Sequence, residues 1–303
     1  MKKALLLLVL FYCFKNGFAQ SSNTNTLLWR ISGKNLTKPS YLFGTIHMLC
    51  GDDIELSDSL KSAIAKADKV YLELDMDNIM EMLGVMNKMK MRNDTTLADL
   101  LSPSEYDTVK AFFQKQGGLL PFSLIETYKP MLAASTLMES SLDCDNAIAM
   151  EQLIMRQAKR DGVGIKGLET MAYQISIFDS IPYKVQAKQL LSYVENYGKQ
   201  DDNKELDELT QAYRNQDLQK LEQMTKQETT GSGMEHFADL LLYNRNANWA
   251  KKLNELLPKS TLVIAVGAGH LPGEKGVINL LRKAGYKVEP VENKMFKKKE
   301  KEI

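Results

Sequence analysis

Thr261-Leu262-Val263-Ile264-Ala265-Val266-Gly267-Ala268-Gly269-His270-Leu271-Pro272-Gly273 is the stretch on which the fold turns. Its first six residues are continuously apolar, the mark of a strand covered on both faces. The Gly- and Pro-rich segment after them reads as a turn. Residues 274–284 then suit a helix closed by Gly285, and Tyr286 to Val291 suits a last strand. The C-terminal part is therefore β-α-β.

Working outward, Leu27 to Ser32 and Ser40 to Ile46 read as a hairpin around Gly33-Lys34-Asn35. Ser57 to Ala67 reads as a helix capped by Ser57, and Lys69 to Asp75 as a strand by its β-branched and aromatic content. The middle of the chain is helical. Met80–Met91 carries methionines at 80, 82, 86, 89 and 91, a stripe expected to serve as flexible packing. Ser102, Pro103 and Glu105 make a capping box. Further helices are expected over 123–140, 146–160, 170–179, 183–198 and most of 203–256. A short strand is expected from Val163 to Leu168, and a break at Gly231-Ser232-Gly233.

The ends differ in character. Lys2-Lys3, an apolar run and then Gly17-Phe18-Ala19 match a secretory signal cut after Ala19. Residues 20–26 read as a polar, disordered lead-in, 27–292 as the folded domain and 293–303 as a charged tail. Cleavage leaves 36 basic residues against 38 acidic ones. That balance disfavours nucleic acid as a partner, and no later segment has membrane-spanning length. An exported chain meets oxidising conditions, so Cys50 and Cys144 are either a disulfide or two separate thiols.

The chemistry is expected at histidine. There are three, and two stand in the same pattern at a strand end: Gly44-Thr45-Ile46-His47 and Gly267-Ala268-Gly269-His270. A single such histidine reads most simply as a hydrogen-bonded structural residue. Two in matched turns point to a shared site, because ligands of open α/β sheets bind beyond the strands' carboxyl ends. The two imidazoles would then be metal ligands or an acid/base pair. His236 lacks the pattern and reads as surface or packing. Glu73, a carboxylate among large apolar residues, needs a partner such as a metal or a protonated imidazole. Glu169 either joins the site or caps the next helix, and Arg245 either clamps an anion or forms a salt bridge.

The ordered set Tyr41-Leu42-Phe43-Gly44-Thr45-Ile46-His47, Glu73-Leu74-Asp75, Gly167-Leu168-Glu169-Thr170 with Gln174, Arg245-Asn246 with Trp249, and Val266 to Gly273 resembles the TraB/GumN family. That family is related to the Tiki proteins and more remotely to erythromycin esterases and haem-binding ChaN proteins. The resemblance spans roughly residues 27 to 292. It implies an α+β, α/β-like fold: a mixed central β-sheet wrapped by many helices, in one large domain with a helical middle section. It also implies a cleft where His47, Glu73 and His270 meet.

Tiki relatives are described as metal-dependent proteases, so the resemblance implies a divalent metal (manganese or cobalt, with zinc also considered) on His47, His270 and Glu73. It further implies Glu73 as ligand or general base and Arg245 opposing negative charge. Glu151 falls at the family's acidic helix position, with Met150 where an aromatic is common. The expected function is an exported, metal-dependent hydrolase of a peptide or ester bond. The alternative is an exported, non-catalytic binder of haem or another small molecule, with methionines and tyrosines lining its pocket.

Overall fold

The computed structural model describes residues 25–296, apart from 52–53, 117–120, 141–143, 145, 199 and 230–236. The expected signal segment, most of the lead-in, the Gly231–Gly233 break, His236 and the Lys297–Lys301 tail lie outside the described residues.

The elements run in the order β1 (Leu28–Ser32), β2 (Ser40–Thr45), β3 (Leu49–Cys50), α1 (Asp58–Ala65), β4 (Lys69–Leu72), α2 (Ile79–Val85), α3 (Leu97–Leu100), α4 (Pro103–Gln116), α5 (Phe122–Ile125), α6 (Pro130–Ser140), β5 (Ala147–Ile148), α7 (Met150–Arg160), β6 (Gly164–Gly167), α8 (Met171–Phe178), α9 (Tyr183–Asn196), α10 (Gln200–Arg214), α11 (Leu218–Thr229), α12 (Asn244–Leu256), β7 (Leu262–Gly267), α13 (Val277–Lys283) and β8 (Lys287–Val291). The central sheet has the order β6-β4-β7-β2-β1-β8. Strands β6, β4, β7 and β2 are parallel; β1 and β8 close one side antiparallel. This is the expected mixed sheet wrapped by helices.

The apolar run 262–266 is buried along its whole length because β7 lies between β4 and β2 with helices over both faces. Val263 and Ala265 face one core with Leu60, Ile154 and Tyr213. Leu262, Ile264 and Val266 face the other with Trp249, Leu253 and Leu281. A third core joins α3, α4, α5, α6 and α9 around Val109, Phe113, Leu190 and Leu191.

Caps fall where the sequence places them. Ser57 accepts from the Leu60 N–H, and Glu105 accepts from the Ser102 N–H. Two expected helices are shorter than expected. Residues 123–140 split into α5 and α6, since Pro130 holds Lys129 out of helical geometry and itself opens α6. Ala147–Ile148 pair as a strand, Cys50 opposite Ala147, before α7 begins. Next to that small ladder Cys50 and Cys144 form a disulfide, with Cα atoms 6.0 Å apart.

Candidate active site

Four neighbouring parallel strands end at one edge of the sheet, and each delivers one expected residue. In spatial order β6 leads to Glu169, β4 to Glu73, β7 to His270 and β2 to His47. Residues remote in the chain become neighbours because β2 and β7 pair directly, Thr45 opposite Gly267. Glu73 lies one residue past its strand, so its carboxylate faces the end of the sheet rather than a flank.

The glycines of the repeated motif have steric reasons. A side chain on Gly44 would start 2.8 Å from Leu271 Cδ1 and 3.2 Å from Ala268 Cα. Gly44 thus lets the end of β2 lie against the turn that carries His270. A side chain on Gly267 would start 3.3 Å from Glu73 Oε1. Its bare backbone instead brings the N–H within 2.8 Å of that oxygen, to which it donates.

Arg245 is the hub. A π-helical turn, Asp239–Tyr243, runs into α12 and sets Arg245, Asn246 and Trp249 on its buried face. The guanidinium donates through Nη2 to Glu73 (2.6 Å) and Glu169 (2.7 Å) and through Nε to Glu169 (3.0 Å). Nη1 donates to the Leu241 carbonyl (3.0 Å) and lies 3.3 Å from His270 Nε2. Five N–H groups meet five acceptor contacts, so no donor is spare. Arg245 thus holds the carboxylates and the imidazole in place; the expected role of opposing a developing oxyanion would require it to give up one of these contacts. Glu169, weighed as site partner or helix cap, lies on the Arg245 guanidinium beside Glu73. It also accepts from Trp249 Nε1, and Thr170 caps α8.

The two motif histidines live in opposite environments. His270 is buried against Trp249, their ring centroids 4.6 Å apart. Asn246 donates through Nδ2 to two carbonyls, which turns its Oδ1 toward His270 Nδ1 at 2.6 Å. Nδ1 therefore carries the proton and Nε2 the lone pair. Burial lowers the His270 pKa to about 4; Glu73 opposes the fall, and the Arg245 and His47 cations add to it. His47 has its side chain 73% exposed at the rim and meets Glu151 Oε1 at 2.9 Å. That hydrogen bond raises its pKa to about 9, against some desolvation. At neutral pH His47 is charged and His270 is not.

Burial would push the Glu73 carboxyl up, but His270 and Arg245, the Gly267 N–H and His47 bring it down to about 2. Burial pushes Glu169 up, with the Arg245 and Trp249 hydrogen bonds opposing. Glu151 also accepts from Thr45 Oγ1 at 2.7 Å, while its Oε2 is buried with no hydrogen-bond partner among the described residues. Asn246, Thr45 and Trp249 complete the site without having been assigned roles from sequence. Polar residues on the buried face of α12 are the signal that would have found Asn246.

The donor chemistry of His47, His270 and Glu73 suits a divalent metal, but their placement does not. Among the described residues no three His, Cys, Asp or Glu gather as a ligand set. Both Glu73 oxygens are taken, by Gly267 and Arg245, and the guanidinium lies against His270 Nε2. The expected trio is thus brought into one site without forming a ligand sphere. The methionines considered for a haem pocket, and expected in packing, are corrected too. Met80, Met82 and Met86 are exposed, and only Met91 of the stripe is buried. Among the described residues no helix is long and apolar enough to cross a membrane.

Comparison with known proteins identifies the family. The model of the TraB/PrgY/gumN family matches residues 27–290. Metalloprotease TIKI2 of Danio rerio is 22% identical over 88% of this chain and 61% of its own length. A metalloprotease TIKI homolog of Nematostella vectensis is 23% identical over 89% of this chain and 68% of its own. Metalloprotease TIKI1 of Homo sapiens is 22% identical over 89% and 63%. The chain thus spans about two thirds or less of these relatives. No solved structure matches it.

Proposed function

The chain belongs to the TraB/PrgY/gumN family, and from that premise we propose that it is a hydrolase of a peptide or ester bond, working at the carboxyl edge of β6, β4, β7 and β2. The observation that carries this reading is that four parallel strands bring His47, His270, Glu73 and Arg245 to one sheet edge and give the two imidazoles unlike partners, a carboxylate for His47 and an amide oxygen and guanidinium for His270. Neighbouring titratable groups whose surroundings drive their pKa values apart are an acid/base pair in readiness.

His270 Nε2 is the ring's acceptor, Nδ1 being held by Asn246, and it takes the proton of the attacking water in exchange for the Arg245 Nη1 contact that it holds at rest. Arg245 keeps Glu73 and His270 in register. Protonated His47, at the open rim, opposes the negative charge on the carbonyl oxygen and gives its own proton to the leaving group; His270 then releases the water's proton to solvent, from which His47 takes one back. The names of the relatives imply a metal. Bound metal would supply a polarised carbonyl and an acidified water; no step here is routed through it, because the ligand set does not form as the residues stand. The disulfide supports export to an oxidising compartment.

The test is the pH dependence of kcat/KM on a panel of peptides and esters, with and without Mn²⁺, Co²⁺ or Zn²⁺. Neutral His270 and charged His47 give a plateau from about pH 4 to about pH 9. A metal-bound water as nucleophile would instead place the acid limb near pH 7. No hydrolysis of any panel member under any condition would remove the proposal.

A further inference from the structure

The large hydrophobic side chains found exposed on this molecule are not scattered. Among the described residues six of the seven, Met76, Ile79, Met80, Met82, Leu83 and Met86, fall in one eleven-residue window, Tyr173 being the seventh, and Ile79 and Met80 reach 68% and 77% exposure. Ile79, Met82, Leu83 and Met86 follow the spacing i, i+3, i+4, i+7, which is the apolar stripe that normally packs on a core. Here it points outward, and Val85 alone of α2 is buried. An apolar patch of this kind marks a contact site.

A second observation comes from Gly84. A glycine inside a helix is unfavourable relative to alanine, because its backbone loses more freedom on folding. Nothing in the molecule requires it, since a side chain added there meets no atom within 4 Å. What it leaves is backbone open to close approach from outside.

The stripe is continuous with the proposed active site. α2 follows Glu73 by one short turn region, and Glu81 accepts the Met171 N–H at the start of α8 (2.7 Å). α8 in turn follows Glu169, and its exposed Tyr173 accepts from Asn248 of α12, which also carries Arg245 (3.2 Å). The patch thus lies beside the ends of β4 and β6. Lys88 and Lys90 follow the stripe, whereas the other cations near it, Arg92, Lys159 and Lys166, are each paired with a carboxylate (Asp179, Asp77 and Asp75), which falls short of the roughly four to eight basic residues of an anionic-lipid site. A stable dimer hides about 800 Å² per partner, more than one short helix supplies.

We propose that the outward stripe of α2, with the notch at Gly84, docks an extended apolar segment of a peptide substrate and feeds the adjoining bond to the cleft. This deepens the hydrolase reading and rests on it. Methionines suit the task because their flexible thioethers adapt to varied apolar side chains.

The probe is a fluorescein-labelled peptide with a Leu-Phe-Val core, read by anisotropy against the same peptide with serines in the core. The wild-type protein binds the first and not the second. Ile79→Ser/Met80→Ser/Leu83→Ser, all at exposed positions, weakens binding roughly tenfold or more. Gly84→Gln weakens it as well while leaving the melting temperature equal or higher, which a merely structural role would not produce. Unchanged affinity in these variants, or no binding by the wild type, overturns the docking surface. So does a triple variant that loses only self-association in sedimentation or only pelleting with phosphatidylglycerol vesicles. Binding and turnover separate the two readings. Turnover of a short p-nitroanilide without peptide binding sinks the docking surface alone, and peptide binding without any turnover sinks the hydrolase alone.

Discussion

Acidification from pH 7 to pH 5 should unload stability through one residue, His270. Its imidazole is buried and neutral in the fold with a pKa lowered to about 4, whereas unfolding returns it to 6.5. The unfolded chain therefore binds the extra proton, and a group with a depressed folded pKa contributes stability that is present above 6.5 and lost as pH falls toward 4. At pH 5 the unfolded imidazole is almost fully protonated and the folded one almost fully neutral. The difference from pH 7 amounts to about 2 kcal/mol, of the full ~3 kcal/mol that the shift represents. His47 acts in the opposite sense: its raised pKa gives stability that is complete below 6.5 and lost as pH rises through about 9. Because His47 is present in both proteins, comparing wild type with His270→Gln isolates the buried ring. Urea unfolding at pH 7, 6 and 5, with EDTA present so that no metal shields the imidazole, should show the wild type losing about 2 kcal/mol more than the variant. Parallel losses in the two proteins would mean that His270 does not sit buried and neutral, and the acid/base assignment would go with it.

Three further outcomes follow from the same geometry. Arg245→Met leaves Glu73 and Glu169 buried without their cation and should cost about 3–5 kcal/mol in urea unfolding. It should also tighten Mn²⁺ or Zn²⁺ binding by calorimetry, since guanidinium and metal compete for Glu73 and His270; equal affinity in both proteins would refute the competition. Gly267→Ala sets a methyl 3.3 Å from Glu73 Oε1 and 3.5 Å from His270 Cδ2, so kcat should fall roughly tenfold with little change in folding; undiminished kcat would show that the Glu73 position is not critical. Reducing the Cys50–Cys144 bridge, which closes a loop of sequence separation 94, should lower stability by about 4 kcal/mol, checked by unfolding with and without dithiothreitol.

The strands and the site were legible in the sequence to different depths. The 262–266 run and the two Gly-x-x-His turns announce themselves because burial on both faces demands unbroken apolar residues and close approach demands glycine. Pro130 divides the helix expected over 123–140, because its ring bars the residue before it from helical geometry whatever the apolar pattern around it. Asn146 to Ile148 carries helix-compatible residues, and only the partner strand at Cys50 makes it extended. The methionine stripe shows why periodicity alone misleads: spacing identifies the apolar face of a helix but not what that face meets. Likewise nothing local in Arg245 tells a clamp for substrate from a clamp for carboxylates. That difference depends on five acceptor contacts drawn from β4, β6, the π-helical turn and the His270 turn.

The deepest departure from the sequence reading concerns sameness. Identical motifs invite identical roles, and a metal reading assigns both histidines one role as ligands. The fold gives them unlike neighbours: a carboxylate partner and an open rim for His47, an amide oxygen, an indole face and an arginine cation for His270. Burial, aided by the Arg245 cation, pushes His270 below 6.5, and the Glu151 hydrogen bond pushes His47 above it, so that a single pH near neutrality holds a proton donor and a proton acceptor at the same sheet edge. Exchanging those surroundings, not the histidines themselves, is what would abolish the distinction. Glu151→Gln removes the hydrogen bond that raises His47 and should move the alkaline limb of the rate profile down from about 9 toward 6.5 while the acid limb near 4 stays in place. A variant in which both limbs moved together would show that the two rings titrate as one unit and that the division of labour drawn from their environments is false.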